Sequence, residues 1–425
     1  MAALPRILAI MGSGETAPTM VTVHKDLLAR LPADVPAVLI ETPYGFQENA
    51  DEISERAVGY FAHNVGRDIT PIGVRSSDDD SSAATDTARL QTAGYVFAGP
   101  GSPTYALRQW RGSMFADAVA DKLRTGGVVV FASAAAVGLG RAAVPVYEIY
   151  KVGQTPHWVE GLDLLSAAGI DAAVIPHFDN AEGGTHDTRF CYLGARRLTQ
   201  MEQQLDDGTV VVGVDEHTAL ILDLDAATAT VRGRGGVTIR RAGRELRAIP
   251  SGAQLALAAL TAERDGGAAE PVRTPTERGD PVSDAGGDSA HDPATMTLTE
   301  QAVASARAFD AALERGDGAA AGAAILELEA AIAAWAADTT QSDEGDRARD
   351  TLRGLIVRLG AAAANGLADP TARIAPMIDA VVDARDQLRD RRDFALADLL
   401  RDAADAAGIE LRDTPEGTVW RSVTR

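Results

Sequence analysis

The sequence predicts an α/β protein with a mostly parallel sheet flanked by helices, followed by a linker and a small all-helical domain that ends in a β-hairpin. Three observations predict it. From Pro5 to about Leu260, short β-branched runs alternate with amphipathic stretches, the pattern of strands crossing over through helices. From about Glu263 to Met296 the composition shifts to Gly, Pro, Asp and Ser, with almost nothing apolar to bury. Beyond that the chain is alanine-rich with helical spacing. The expected organisation is residues 1–262 as one domain, 263–296 as a disordered linker and 297–425 as the second domain.

The first element is RILAIM, a buried strand. The N-terminal apolar stretch is short and weakly basic and ends in the turn Gly12-Ser13-Gly14, so it reads as a strand and not as a secretion signal. The strands AVLIET, GYVFAG, GVVVFA, DAAVIP and VVVGV follow in order. The stretches 17–31 and 48–64 between the early strands carry helical spacing and begin near Thr, Gln or Asn capping residues. HTALILDLDAATATVRGRGGVTIRR reads as an antiparallel meander that extends one edge of the sheet. Helical runs are expected over 297–315, 319–337, 347–364 and 373–407, and the turn Thr414-Pro415-Glu416-Gly417 joins two short strands at the end.

A chain of 425 residues is long enough for two cores, and no apolar run approaches the roughly 20 residues that span a bilayer, so no membrane partner is expected. Cys191 is the only cysteine, which excludes an internal disulfide and a cysteine-based zinc site and points to a reducing, cytoplasmic setting. The formal net charge of −21 opposes nucleic-acid binding except through a local basic patch. An oligomer is compatible with the chain.

In GGVVVFASAAAVGLG a buried strand runs directly into a small-residue helix at Ser133. A tight strand-to-helix turn exposes a hydroxyl above the sheet edge and points the next N–H, that of Ala134, toward a developing oxyanion. A serine there is also an ordinary helix N-cap. A nucleophilic hydroxyl needs a base, and the base needs an orienting carboxylate. His177, after DAAVIP, and Glu216, after VVVGVD, stand at strand ends, the side on which open α/β sheets gather ligands. The loop Gly99-Pro100-Gly101-Ser102-Pro103-Thr104 offers backbone N–H groups to an oxyanion, or is only a turn.

The turn after the first strand lacks the dinucleotide fingerprint, and no cofactor is expected. The polar stretch from His177 to Arg189 admits a metal held by His177, Asp179 and His186, but its spacing matches no known ligand pattern, so no metal is expected. Asp179, Asn180, His186 and Arg189 read instead as a loop for a charged substrate. Arg189 is either a carboxylate clamp or the partner of Asp187 or Glu182. Cys191, in RFCYLG, lies outside any strand-end elbow and is not expected to act as a nucleophile.

Taken in order, the Gly-rich turn after strand one, GPGSPTYAL, Ser133, PHFDN and GVDEHTAL resemble the landmarks of the cyanophycinase and dipeptidase E group of serine peptidases, on a class I glutamine-amidotransferase-like fold. The resemblance covers about residues 5–245. It implies Ser133 as nucleophile, His177 as base and Glu216 as third member, with Gly101 and Ala134 as oxyanion donors. Glu148, in VPVYEIYKVG, is an alternative acid, since members of this group differ in its source. Where the group has two elbow glycines, this chain has Phe131 and Ala135. A side chain at a position that needs positive φ costs about 1 kcal/mol, and Phe131 is expected to crowd the approach to Ser133.

The tail RDFALADLLRDAADAAGIELRDTPEGTVWR resembles the C-terminal, anticodon-binding region of cysteinyl-tRNA synthetases. The nucleotide motifs and zinc ligands of a synthetase are missing from the sequence, so aminoacylation is excluded and only tRNA contact carries over. Arginines and aspartates interleave from Asp383 to Asp402, the pattern of a solvated, salt-bridged face, so docking of a protein or a second copy stands beside tRNA contact. Together these features predict a serine hydrolase for a peptide or small amide substrate. The alternative is a non-catalytic relative that binds a small ligand and engages tRNA or protein through its tail.

Overall fold

The computed structural model describes residues 3–73, 80–182, 186–262, 296–336, 338, 343–364, 370–414 and 417–422. The expected linker lies outside the described residues except at Met296. Two compact units are present: residues 1–298 with 332–345, and residues 299–331 with 346–425. Among the described residues no helix is long and apolar enough to cross a membrane.

The first unit is built from β1 (Arg6–Met11), β2 (Ala37–Ile40), β3 (Thr70–Ile72), β4 (Tyr95–Ala98), β5 (Gly127–Ala132), β6 (Ala142–Ala143), β7 (Val159–Glu160), β8 (Ala172–Ile175) and β9 (Val210–Val214). The run then turns antiparallel through β10 (Thr218–Asp223), β11 (Thr228–Gly233), β12 (Gly236–Arg241), β13 (Arg244–Pro250) and β14 (Gln254–Ala256). The strands form two sheets. One has the order β14-β11-β10-β1-β5-β4-β2-β3, parallel from β1 through β3. The other has the order β13-β12-β9-β8-β6-β7. The expected meander is therefore divided: β10 and β11 extend the β1 edge of the first sheet, while β12 pairs with β9 in the second.

Period-two alternation sends β5 to both faces of its sheet. Val128, Val130 and Ala132 pack with Ile7, Ala9 and the helices Val21–Leu28 and Ala50–Tyr60, whereas Val129 and Phe131 pack with Leu8, Ile10 and Trp110. With both faces covered, β5 is an unbroken apolar run. At its carboxyl end the chain must turn at once into the helix Ser133–Val137, and the adjoining ends of β1 and β4 open into the turns at Gly12–Glu15 and Gly99–Ser102. The turn Asp215–His217, between β9 of one sheet and β10 of the other, meets the same edge.

The second unit is helical and closes with a hairpin of β15 (Ile409–Thr414) and β16 (Gly417–Ser422). The guanidinium of Arg385, buried on the helix Pro370–Asp390, forks onto Asp413 at 2.6 and 3.1 Å and donates to Thr418 at 3.0 Å. Trp420 donates its indole N–H to Asp379 of the same helix at 2.8 Å. These bonds fix the hairpin on the helix.

Candidate active site

Ser133 has a left-handed backbone, φ +48°, at the junction of β5 and its helix. Its hydroxyl is not used as a helix cap; its partner is His177 Nε2 at 3.0 Å. His177 also has φ +48°, just past β8, and its N–H donates to the carbonyl of Gly12 at 3.3 Å, which ties it to the turn after β1. Its other nitrogen, Nδ1, lies 2.8 Å from Glu216 Oε1. The carboxylate can only accept, so Nδ1 carries the proton and Nε2 is left to accept from Ser133.

Burial opposes charge on the imidazole, but the hydrogen bond and charge of Glu216, followed by the charges of Glu15 and Glu182, outweigh it and raise His177 above its ordinary pKa. Burial alone would raise Glu216. The hydrogen bond and charge of His177, the Asn180 amide and His217 outweigh it and hold the carboxyl below its usual range. Hydroxyl, imidazole and carboxylate thus form one chain of hydrogen bonds at the meeting edge of the two sheets.

The other expected residues have definite places. Gly101, at φ +137°, and Ala134 line a small cleft beside Ser133 together with Pro103, Tyr147, Pro176 and Tyr192. Gly101 sits so close to Pro43 that a Cβ would fall 2.0 Å from its carbonyl oxygen, which requires glycine there. Glu148 accepts from Thr104 at 2.8 Å, whereas the imidazole is met by Glu216. Asp179 accepts the backbone N–H of Glu216 at 2.8 Å, and the fully buried Asn180 donates to Glu216 Oε1 at 3.3 Å; both support the acid.

His186 stacks on Tyr150 with ring centroids 6.3 Å apart. Arg189 forks onto Asp187 at 2.8 and 2.9 Å, the internal ion pair that was the alternative to a clamp. Among the described residues no group of three His, Cys, Asp or Glu side chains is arranged to hold a metal. Cys191 is buried and its thiol is pushed up to about 12, by burial first and then by Glu216.

Phe131 does not crowd the site. It is fully buried, its ring lies 5.6 Å from that of Trp110, and it faces the core on the sheet side opposite Val130 and Ala132. Neither Phe131 nor Ala135 has a positive φ; Ser133 itself takes the left-handed conformation, so side chains at the two elbow positions carry no such strain.

Glu15 is a feature the sequence reading passed over. It ends the turn after β1, is 2% exposed, and has one carboxylate oxygen without a hydrogen-bond partner among the described residues. Burial pushes its carboxyl up to about 7 against its own backbone N–H, with Asp338 adding to the rise and His177 opposing it. Beneath it the neutral His24 donates from Nε2 to the Glu15 carbonyl at 2.7 Å and accepts from Tyr95 Oη at 2.6 Å. A charged side chain inside an apolar-flanked Gly turn was the available signal.

The chain matches no protein-family model. Its C-terminal segment is similar to curated cysteine–tRNA ligases: 46% identical over 48 residues to that of Thermococcus onnurineus and 57% over 44 residues to that of Lacticaseibacillus casei. These stretches cover 11% and 10% of this chain, and the chain spans about a tenth of the relatives' own length, 10% and 9%. Among solved structures, a peptidase from an acI-B1 Actinobacterium aligns with a TM-score of 0.49 at 20% identity, covering 60% of this chain and 98% of the other. A proposed peptidase E protein of Listeria monocytogenes EGD-e aligns with a TM-score of 0.37 at 15% identity, covering 56% of this chain and 98% of the other. Both likenesses were expected from the sequence.

Proposed function

We propose that the first unit is a serine hydrolase acting on a peptide or small amide bond. The observation that carries this reading is the hydrogen-bonded chain Ser133–His177–Glu216, at 3.0 and 2.8 Å. Ser133 Oγ attacks the carbonyl carbon while its proton passes to His177 Nε2. Glu216 holds the tautomer and stabilises the imidazolium that forms. The negative charge on the carbonyl oxygen is met by the N–H groups of Ala134 and Gly101. His177 then returns the proton to the leaving amine, and water hydrolyses the acyl-serine by the same steps.

Labelling of the purified full-length chain with a fluorophosphonate tests this. Labelling of the wild type that disappears in both Ser133→Ala and His177→Ala supports it and justifies a peptide screen. A folded wild type that does not label refutes it.

A second reading concerns the second unit, and the observation favouring it is the similarity of the tail to cysteine–tRNA ligases. The unit contacts tRNA, or a protein partner through the exposed apolar side chains Phe394, Leu396 and Leu399. Much of its basic charge is already engaged, since Arg385 and Arg389 bind Asp413 and Arg421 binds Glu410. A gel shift with tRNA at two salt concentrations separates the partners: only tRNA binding weakens steeply with salt.

A further inference from the structure

Residues 332–345 follow the linker in sequence but belong to the compact unit that holds Ser133, His177 and Glu216. Trp335, in this segment, is 5% exposed, and its indole meets the imidazole of His217 edge-on, with centroids 5.4 Å apart and planes at 71°. His217 directly follows Glu216. Its own backbone is left-handed, φ +51°, and its Nδ1 pairs with Thr19 Oγ1 at 3.0 Å. Gly14 faces the same nitrogen, and a Cβ there would fall 2.0 Å from it. The ring of His217 therefore meets both the turn after β1 and Trp335.

The turn Asp215–His217 is held from within the first part of the chain: the N–H of Asp215 donates to the Gly236 carbonyl at 3.2 Å, the N–H of Arg234 to the His217 carbonyl at 2.9 Å and the hydroxyl of Thr218 to the Glu216 carbonyl at 3.0 Å. The Asp215 side chain accepts the N–H of Gly236 at 2.7 Å and Asp179 accepts that of Glu216 at 2.8 Å. All of these partners come from residues before the linker. A strained, non-Gly turn persists only where its surroundings over-determine it, and a shift of about 1 Å at a catalytic group costs up to about a hundredfold in rate.

We infer that Trp335 is a positioning residue for Glu216: by clamping His217 it fixes the turn that carries the carboxylate, so the segment after the linker is a working part of the site. This rests on the hydrolase reading for its catalytic consequence but not for its geometry. Asp338, whose N–H donates to the Trp335 carbonyl at 3.0 Å, carries the segment on toward Glu15, and its charge contributes to raising the carboxyl of Glu15.

The test follows the imidazole of His177 by histidine NMR in the full-length chain, alongside fluorophosphonate labelling rates. His177 is faced by Ser133, Glu216, Glu15 and Glu182, and Glu216 by His177, Asn180, Asp179 and His217, so a displaced Glu216 lowers the titration midpoint of His177. Trp335→Ala is expected to move that midpoint toward the one seen in Glu216→Gln and to slow labelling about tenfold, and Trp335→Phe is expected to restore both. If Trp335→Ala does not fold, Trp335→Leu, which keeps the side chain apolar and removes the ring, gives the same comparison. A folded Ala or Leu variant whose His177 midpoint and labelling rate match the wild type overturns the inference. A wild type that never labels, with the midpoint still displaced in the variant, leaves the clamp standing and removes the hydrolase reading.

Discussion

Ser133 Oγ and His177 Nε2 lie 3.0 Å apart, and both residues hold a backbone φ of +48°. A left-handed backbone costs an L-residue roughly 1–2 kcal/mol. Two of them meeting at one hydrogen bond place that strain where side chains must be aimed past the sheet edge. Ser133→Gly and Ser133→Ala both remove the hydroxyl and both should abolish labelling, but only glycine relieves the backbone. Ser133→Gly is expected to be more stable than Ser133→Ala by about 1 kcal/mol, read from urea unfolding. Equal stabilities would show that the elbow carries no strain.

The raised pKa of His177 fixes the direction of the pH dependence. The base works only when neutral, so labelling should rise with pH through a midpoint above 6.5. Protonation of His177 favours the fold through Glu216. That contribution is fully present below the unfolded-state pKa near 6.5 and is lost as pH rises through the folded value. Glu216→Gln removes the charge and most of the hydrogen-bond strength, leaving burial to dominate, so its midpoint should fall below that of the wild type. A pH–labelling profile of the two proteins decides it; coincident midpoints would mean that Glu216 does not govern the imidazole.

The three members of this chain were legible because each ends an apolar β-branched run, and a strand end in an α/β sheet is where side chains gather. The division into two sheets was not. GVTIRR alternates as well for one neighbour as for another, and its pairing with β9 in place of β11 is decided by long-range packing. Arg189 was ambiguous for the opposite reason: Asp187 was near enough in sequence to be named, but only coordinates show the fork closed on it. Phe131 was misjudged because the face of a buried strand on which a residue lies cannot be read from an unbroken apolar run. The docking of Trp335 on His217 joins residues on either side of the linker, and no periodicity reports such a contact.

Arg385 should hold the terminal hairpin. Its side chain is 3% exposed, while its partner Asp413 is 41% exposed and is held well below the usual carboxylate range, chiefly by the hydrogen bond from Arg385. With one partner half in water the pair is worth less than a buried one, and Arg385→Met, which keeps the stem, is expected to cost on the order of 1–2 kcal/mol. Hydrogen exchange should then quicken at Leu411 and Trp420 while β1 and β5 stay protected. Unchanged exchange in the hairpin would assign its stability to the apolar contacts of Ile409 and Leu411 instead.

Glu15 loses stability with rising pH, as His177 does, but through burial and not through a partner. Its carboxyl titrates near 7 in the fold, against an ordinary value of 4.5, because burial disfavours the anion. The folded chain therefore binds this proton more tightly than the unfolded chain between those two values. Stability contributed by Glu15 falls as pH rises from 4.5 to 7 and is level above. A difference of that size corresponds to roughly 3 kcal/mol. Glu15→Gln keeps the shape of the protonated acid and cannot ionise. Relative to wild type it should gain up to about 3 kcal/mol between pH 4 and pH 8, measured by urea unfolding at both. If the difference between the two proteins is the same at pH 4 and pH 8, the fold holds the Glu15 proton no more tightly than the unfolded chain does, and the oxygen that lacks a partner here must be paired in solution.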